Sequence, residues 1–131
     1  MYRKTQHSVY SITLHLVLVV KYRRDVIDNT ISNRIKEIFE KIGLSHDVEI
    51  IEWNHDKDHV HTILSVSPST NLNKYVNAAK AASSRLIKKE FPNIKLKLWK
   101  KYFWTRGFYI NSTGSTQIEV VKNYILNQGE K

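Results

Sequence analysis

Val9-Tyr10-Ser11-Ile12-Thr13-Leu14-His15-Leu16-Val17-Leu18-Val19-Val20-Lys21 is the stretch on which the reading of the fold turns. Tyr10, Ile12, Leu14, Leu16, Leu18 and Val20 recur at every second position, with Ser11, Thr13, His15 and Lys21 between them. That two-residue period belongs to a long first strand with one face in a core. From about Thr30 the period changes: Ile31, Ile35, Ile38, Phe39 and Ile42 form a helical stripe, and Gly43 is placed to end it in a left-handed cap. Val48 to Trp53 and His59 to Ser67 are short strand-like runs joined by the polar segment Asn54 to Asp58, so they should pair antiparallel. Asn71 can cap a second helix whose apolar positions Leu72, Tyr75, Val76, Ala79, Ser83, Leu86 and Ile87 keep a helical period until Pro92. After a Lys-rich stretch, the aromatic run Tyr102 to Ile110 predicts a fourth strand.

The order βαββαβ gives an α+β fold, a ferredoxin-like or RRM-like antiparallel sheet with helices on one face and the other left open. A last helix is expected from about Gln117 to Gln128. Thr116 and Glu119 form a capping box before it, and Gly129 follows its final turn. Ile118, Val121 and Ile125 make its apolar stripe, and Tyr124 and Gln128, four apart, point the same way along the edge. Asn111 to Ser115 reads as a flexible linker that would let this helix cover the open face.

The 131 residues are read as one domain, spanning 1–131. Lys and Arg number 21 against 12 Asp and Glu, a net charge of +9, which suits a polyanion and makes nucleic acid the leading partner. The longest apolar run, Leu14 to Val20, is far short of the ~20 residues that span a bilayer. No membrane association and a cytoplasmic, prokaryotic location are therefore expected. With no cysteine, any metal must be held by His, carboxylate or amide groups.

Asp58-His59-Val60-His61 is the most informative tetrapeptide. On a strand, residues i and i+2 share a face, so both imidazoles can reach one ion while Val60 enters the core. A HxH pair alone is a weak signal, and a helical tyrosine beside an apolar stripe is usually a packing residue. A helix that brings Tyr124 and Gln128 over the face carrying His59 and His61 would, however, add a nucleophile and a third ligand.

Five blocks then match one family. They are Leu14-His15-Leu16-Val17 with Lys21-Tyr22-Arg23-Arg24; Asp58 to His61; Ser83-Ser84-Arg85 with Glu90-Phe91-Pro92; Trp104 to Asn111; and Tyr124-Ile125-Leu126-Asn127-Gln128. In these the chain resembles the HUH single-tyrosine transposases of the IS200-like class. The resemblance implies that His59, His61 and Gln128 bind a divalent ion and that Tyr124 is the nucleophile. It also implies a homodimer acting on single-stranded DNA with hairpin ends of a mobile element, its active sites assembled in trans. Tyr124 would attack the scissile phosphate to leave a 5′-phosphotyrosine and a free 3′-OH. Mg²⁺ or Mn²⁺ suits a donor set with open positions and no thiolate. The ion, or a base such as Lys122, would help to remove the tyrosine proton.

Lys21, Arg23, Arg24, Arg85 and Lys88 are the candidates for phosphate contacts, and Trp104, Arg106 and Tyr109 for stacking on unpaired bases, with core packing the other reading of Trp104. His15 lies close enough to the active face to matter, while His7, His46 and His55 read as surface residues. Two other readings share these features: a domesticated relative that processes repeated palindromic DNA, and a non-catalytic RRM-like nucleic-acid-binding module.

Overall fold

A computed structural model describes residues 2–4, 9–113 and 118–129. Strands β1 (Arg3–Lys4) and β2 (Val9–Tyr10) form a small antiparallel ribbon. The main elements are β3 (Ile12–Val19), α1 (Asn29–Leu44), β4 (Val48–His55), β5 (His59–Val66), α2 (Leu72–Glu90), β6 (Tyr109–Ser112) and α3 (Ile118–Asn127). The four long strands lie in the order β4-β5-β3-β6, every pair antiparallel. This is the βαββαβ arrangement expected, with β3 in the interior of the sheet.

The alternation along β3 places Leu16, Leu18 and Val20 in one core with Val60, Leu64 and Val66 of β5. Ile31, Ile35, Ile38 and Phe39 of α1, and Tyr75, Val76, Ala79 and Ile87 of α2, close that core from one side of the sheet. Each such apolar side chain contributes roughly 1.5–3 kcal/mol relative to exposure; a one-residue slip of β3 would put the shorter Val17 and Val19 in place of Leu16 and Leu18 and turn the leucines to the opposite face.

Two helix starts follow the capping rule. The Asp28 carboxylate accepts the Ile31 N–H at 2.8 Å, and the Asn71 side chain accepts the Lys74 N–H at 3.0 Å. Gly43 is not a left-handed cap; it lies within α1, and a Cβ there would come 2.5 Å from the Val48 carbonyl oxygen. Close approach of backbone to backbone is its reason, and Asp47, at φ 57°, makes the turn into β4 instead. The capping residue Thr116 and the start of the last helix at Gln117 lie outside the described residues.

The fourth strand is shorter and later than the run Tyr102 to Ile110. It occupies Tyr109–Ser112, part of what reads as linker. The aromatic segment before it is drawn out of strand geometry by packing: Phe103 and Trp104 enter the core, and left-handed Lys100 and Lys101 turn the chain. Only isolated bridges, Val20 with Trp104 and Trp99 with Tyr102, remain there. No helix among the described residues is long and apolar enough to cross a membrane.

Candidate active site

Strand register decides what lies on the sheet face opposite α1 and α2. Val19 is opposite His59, Val17 is opposite both His61 and Tyr109, and His15 is opposite Ile63 and Asn111. Directly paired residues share a face, so His59, His61, His15 and Tyr109 converge there. Val17 and Val19 on this face are fully buried, so it too is covered.

The aromatic rings form a continuous row. His59 and His61 are stacked with centroids 5.8 Å apart; His61 meets His15 at 5.9 Å; His15 meets Tyr109 at 6.5 Å; Tyr109 meets Tyr124 at 5.8 Å. Tyr124 of α3 therefore stands over the same face as the histidine pair, at the far end of the row and without direct contact to either imidazole. A cleft of about 220 Å³ opens beside His61, walled by His15, Glu52, Asn54 and Ile63.

Burial, reinforced by the neighbouring His59 and His15, holds the His61 imidazole below its ordinary range, and burial does the same for His15. His61 is thus neutral near pH 7, as a ligand nitrogen must be. The Asp58 carboxylate bonds His59 Nδ1 at 2.8 Å and accepts a hydrogen bond from Arg23 Nε at 2.9 Å. Nε2 of His59 is the ring nitrogen outside that contact. Burial raises the Tyr124 phenol, and a hydrogen bond with the Thr105 side chain partly offsets this. Lys80 of α2, almost wholly buried, donates to the carbonyls of Arg106 at 2.8 Å and Gly107 at 3.1 Å. It thereby anchors the segment that carries Thr105.

Two imidazoles on one face beside a cleft, one neutral and one oriented by a carboxylate, fit a divalent ion, and the spacing of the rings is within what two ligands on one ion span. The Gln128 amide nitrogen donates to the Tyr124 carbonyl at 3.3 Å, which turns the side chain back along α3. Among the described residues no cluster of three His, Cys, Asp or Glu side chains could hold a metal, so a third protein ligand drawn from them would be of another kind, such as an amide.

The DNA-contact candidates separate. Arg23 is engaged by Asp58, and Lys21 lies over the rings of Tyr22 and Trp99. Arg24 is half-buried at the same turn and Arg106 is exposed. Arg85 and Lys88 line a cleft of about 690 Å³ beside α2 with Lys89, Lys95 and Lys101, on the opposite side of the sheet from the histidines. Trp104 cannot stack on a base: it is 7% exposed, and its indole N–H donates to Ser83 Oγ at 2.9 Å. His46 and His55 are half-buried beside α1, away from the ring row, and His7 lies outside the described residues. Asp58, Thr105 and Lys80 received no role from the sequence. Asp58, directly before the histidine pair, was the one with a local signal; the other two are brought in only by the tertiary path of residues 103–108.

The family model described as "Transposase IS200 like" matches residues 8–128. The chain is 30% identical over 129 residues to the ISDra2 transposase TnpA of Deinococcus radiodurans, covering 98% of this chain and 92% of that protein. It is 26% identical over 125 residues to the transposase for insertion sequence element IS200 of Salmonella typhimurium, covering 95% and 82%. Among solved structures, that of a candidate transposase from Deinococcus radiodurans R1 superposes with a TM-score of 0.87 at 26% identity, covering 98% of this chain and 99% of the other. A REP-associated tyrosine transposase bound to a REP hairpin shares the fold, with a TM-score of 0.61 at 13% identity over 95% and 68% of the two chains.

Proposed function

The chain belongs to the IS200-like transposase family, and on that premise we propose that it cuts and rejoins single-stranded DNA through a covalent bond to Tyr124, using a divalent ion at His59 and His61. The observation that carries this reading is the row of rings that puts Tyr124 and the histidine pair on one sheet face.

His59 and His61, with the Gln128 amide oxygen, would hold Mg²⁺ or Mn²⁺, which when bound polarises a scissile phosphate and lowers the cost of its developing charge. Tyr124 Oη attacks phosphorus, a P–Oη bond forms, and the P–O3′ bond breaks. The tyrosine proton leaves and the 3′ oxygen gains one, so the products are a 5′-phosphotyrosine and a 3′-OH. Attack by another 3′-OH reverses these bonds, and strand transfer needs no nucleotide cofactor. Because burial keeps the Tyr124 phenol protonated, the Thr105 hydroxyl is well placed to stabilise the phenolate as it forms.

DNA would reach this face along its cationic surroundings, with Lys21 and Arg106 near the site and the Arg85 and Lys88 cleft holding a more distant segment. We further propose a homodimer acting on hairpin ends of a mobile element, in which α3 leaves the face of its own sheet, where the single chain carries it, and completes the site of the other subunit.

The test is incubation with labelled single-stranded element ends and Mn²⁺ or Mg²⁺, followed by denaturing electrophoresis. Wild type should give a protein–DNA adduct, and Tyr124→Phe none, with DNA affinity nearly unchanged because the ring and its packing remain. An adduct from Tyr124→Phe would place the nucleophile elsewhere.

A further inference from the structure

The turn after β3 contains two consecutive non-glycine residues in the left-handed region, Tyr22 at φ 56° and Arg23 at φ 55°. Each costs roughly 1–3 kcal/mol and persists only where its surroundings over-determine it. Here they do. Val20 N–H donates to the Asp58 carbonyl at 2.8 Å, Lys21 N–H to the Phe103 carbonyl at 2.9 Å, and Arg23 N–H to the Val20 carbonyl at 2.7 Å. The Tyr22 ring packs edge-on against Trp99 at 4.9 Å.

What the strained turn achieves is the direction of one side chain. Arg23 runs back to place Nε 2.9 Å from Asp58 Oδ2, while Oδ1 of the same carboxylate is 2.8 Å from His59 Nδ1. With both oxygens engaged, the carboxylate cannot rotate away from the imidazole. The stem of Arg23 also lies under the end of α3: a Cβ built on Gly129 would sit 3.0 Å from Arg23 Cδ and 3.7 Å from Cγ. A single side chain thus touches the carboxylate behind His59 and the end of the helix that carries Tyr124 and Gln128.

We infer that Arg23 is a positioning residue, which locks Asp58 so that His59 presents Nε2 to a divalent cation and which seats the end of α3 beside that site. This rests on the metal reading above. It replaces the phosphate-contact role that the basic sequence Lys21-Tyr22-Arg23-Arg24 suggests, and the two roles predict opposite measurements. A phosphate contact acts on DNA and its salt dependence, with a slope change of roughly 0.7 per contact on single strands. A residue behind a ligand acts on metal affinity, typically by about 10–100-fold.

The experiment uses the whole chain as wild type, Arg23→Ala and Arg23→Lys. Mn²⁺ affinity is measured without DNA, from the spin-resonance signal of the free ion. DNA affinity is measured against salt in EDTA, and the His59 tautomer by ¹⁵N imidazole spectra of the metal-free protein. For Arg23→Ala we expect Mn²⁺ affinity about 10–100-fold weaker, an unchanged salt slope, and a His59 ring no longer held in one tautomer. Arg23→Lys, which keeps a cation within reach of Asp58, should recover part of the Mn²⁺ affinity, and it stands in if the alanine variant does not fold. Unchanged Mn²⁺ affinity with a reduced salt slope would overturn the inference. Failure of wild type to bind Mn²⁺ would overturn the metal reading, and the tautomer would then judge Arg23 alone: an unaltered His59 signal in Arg23→Ala refutes it.

Discussion

Replacing Ser83 by alanine tests whether Trp104 belongs to the core or to the DNA. The Ser83 side chain is 0% exposed; its oxygen accepts the Trp104 indole N–H at 2.9 Å, and its own hydroxyl donates to the Ala79 carbonyl at 2.7 Å. Ser83→Ala removes the acceptor and leaves an indole N–H buried without a partner, at a cost of about 1–3 kcal/mol. Alanine is the better helix former, and its gain within α2 offsets roughly 0.5 kcal/mol of that. The net loss of about 0.5–2.5 kcal/mol should lower Tm by roughly 2–12 °C for a chain of this size. Thermal unfolding followed by near-ultraviolet circular dichroism reads the shift. In a cycle with Trp104→Phe, which has no N–H to strand, the second mutation at Ser83 should cost much less than the first. DNA affinity, measured well below the transition, should not change in either variant. Trp104→Phe weakening binding by the roughly 1–3 kcal/mol of a lost base stack, with no loss of Tm, would refute the argument.

The cleft beside α2 should act through charge alone: Arg85, Lys88 and Lys89 changed together to alanine lower the slope of log affinity against log salt by about 0.7–0.9 per lost contact, and an unchanged slope would make them a solvated face. Burial holds His15 and His61 below the usual imidazole value, so the unfolded chain binds more protons than the folded one in the window below about 6.5. Stability is therefore full above about pH 6.5 and falls as pH drops through the folded values; a Tm flat between about pH 7.5 and 5 would contradict this. Assembly in trans predicts that a heterodimer of His61→Ala with Tyr124→Phe regains one intact site and forms the adduct through the His61→Ala chain, although each homodimer is inactive. A dead heterodimer that still binds DNA would refute trans assembly.

Much of this molecule is legible from periodicity. The alternation of β3, the stripes of α1 and α2, and the i, i+2 spacing of His59 and His61 are consequences of local geometry, and the folded chain carries them as read. The errors have a common cause. Gly43 reads as a cap because a glycine at a helix end usually is one, whereas its neighbour in space, Val48, is the reason for it. Tyr102 to Ile110 reads as a strand because aromatic residues favour strands, whereas Phe103 and Trp104 gain more by entering the core than by keeping a ladder.

The same division holds at the site. Spacing along one strand was enough to put His59 and His61 on one face, and spacing along one helix to put Tyr124 and Gln128 on one side of it; joining the two pairs into a set took the family resemblance. Which groups stand behind them was decided by tertiary structure. Asp58 and Arg23, 35 positions apart, meet because a strained turn brings the end of β3 back to the start of β5. His15 and Tyr109 enter the ring row because β3 lies between β5 and β6. Arg23 is basic in either setting. Whether its charge faces DNA or a buried carboxylate depends on what lies within about 3 Å of it, and a one-dimensional pattern holds no record of that distance.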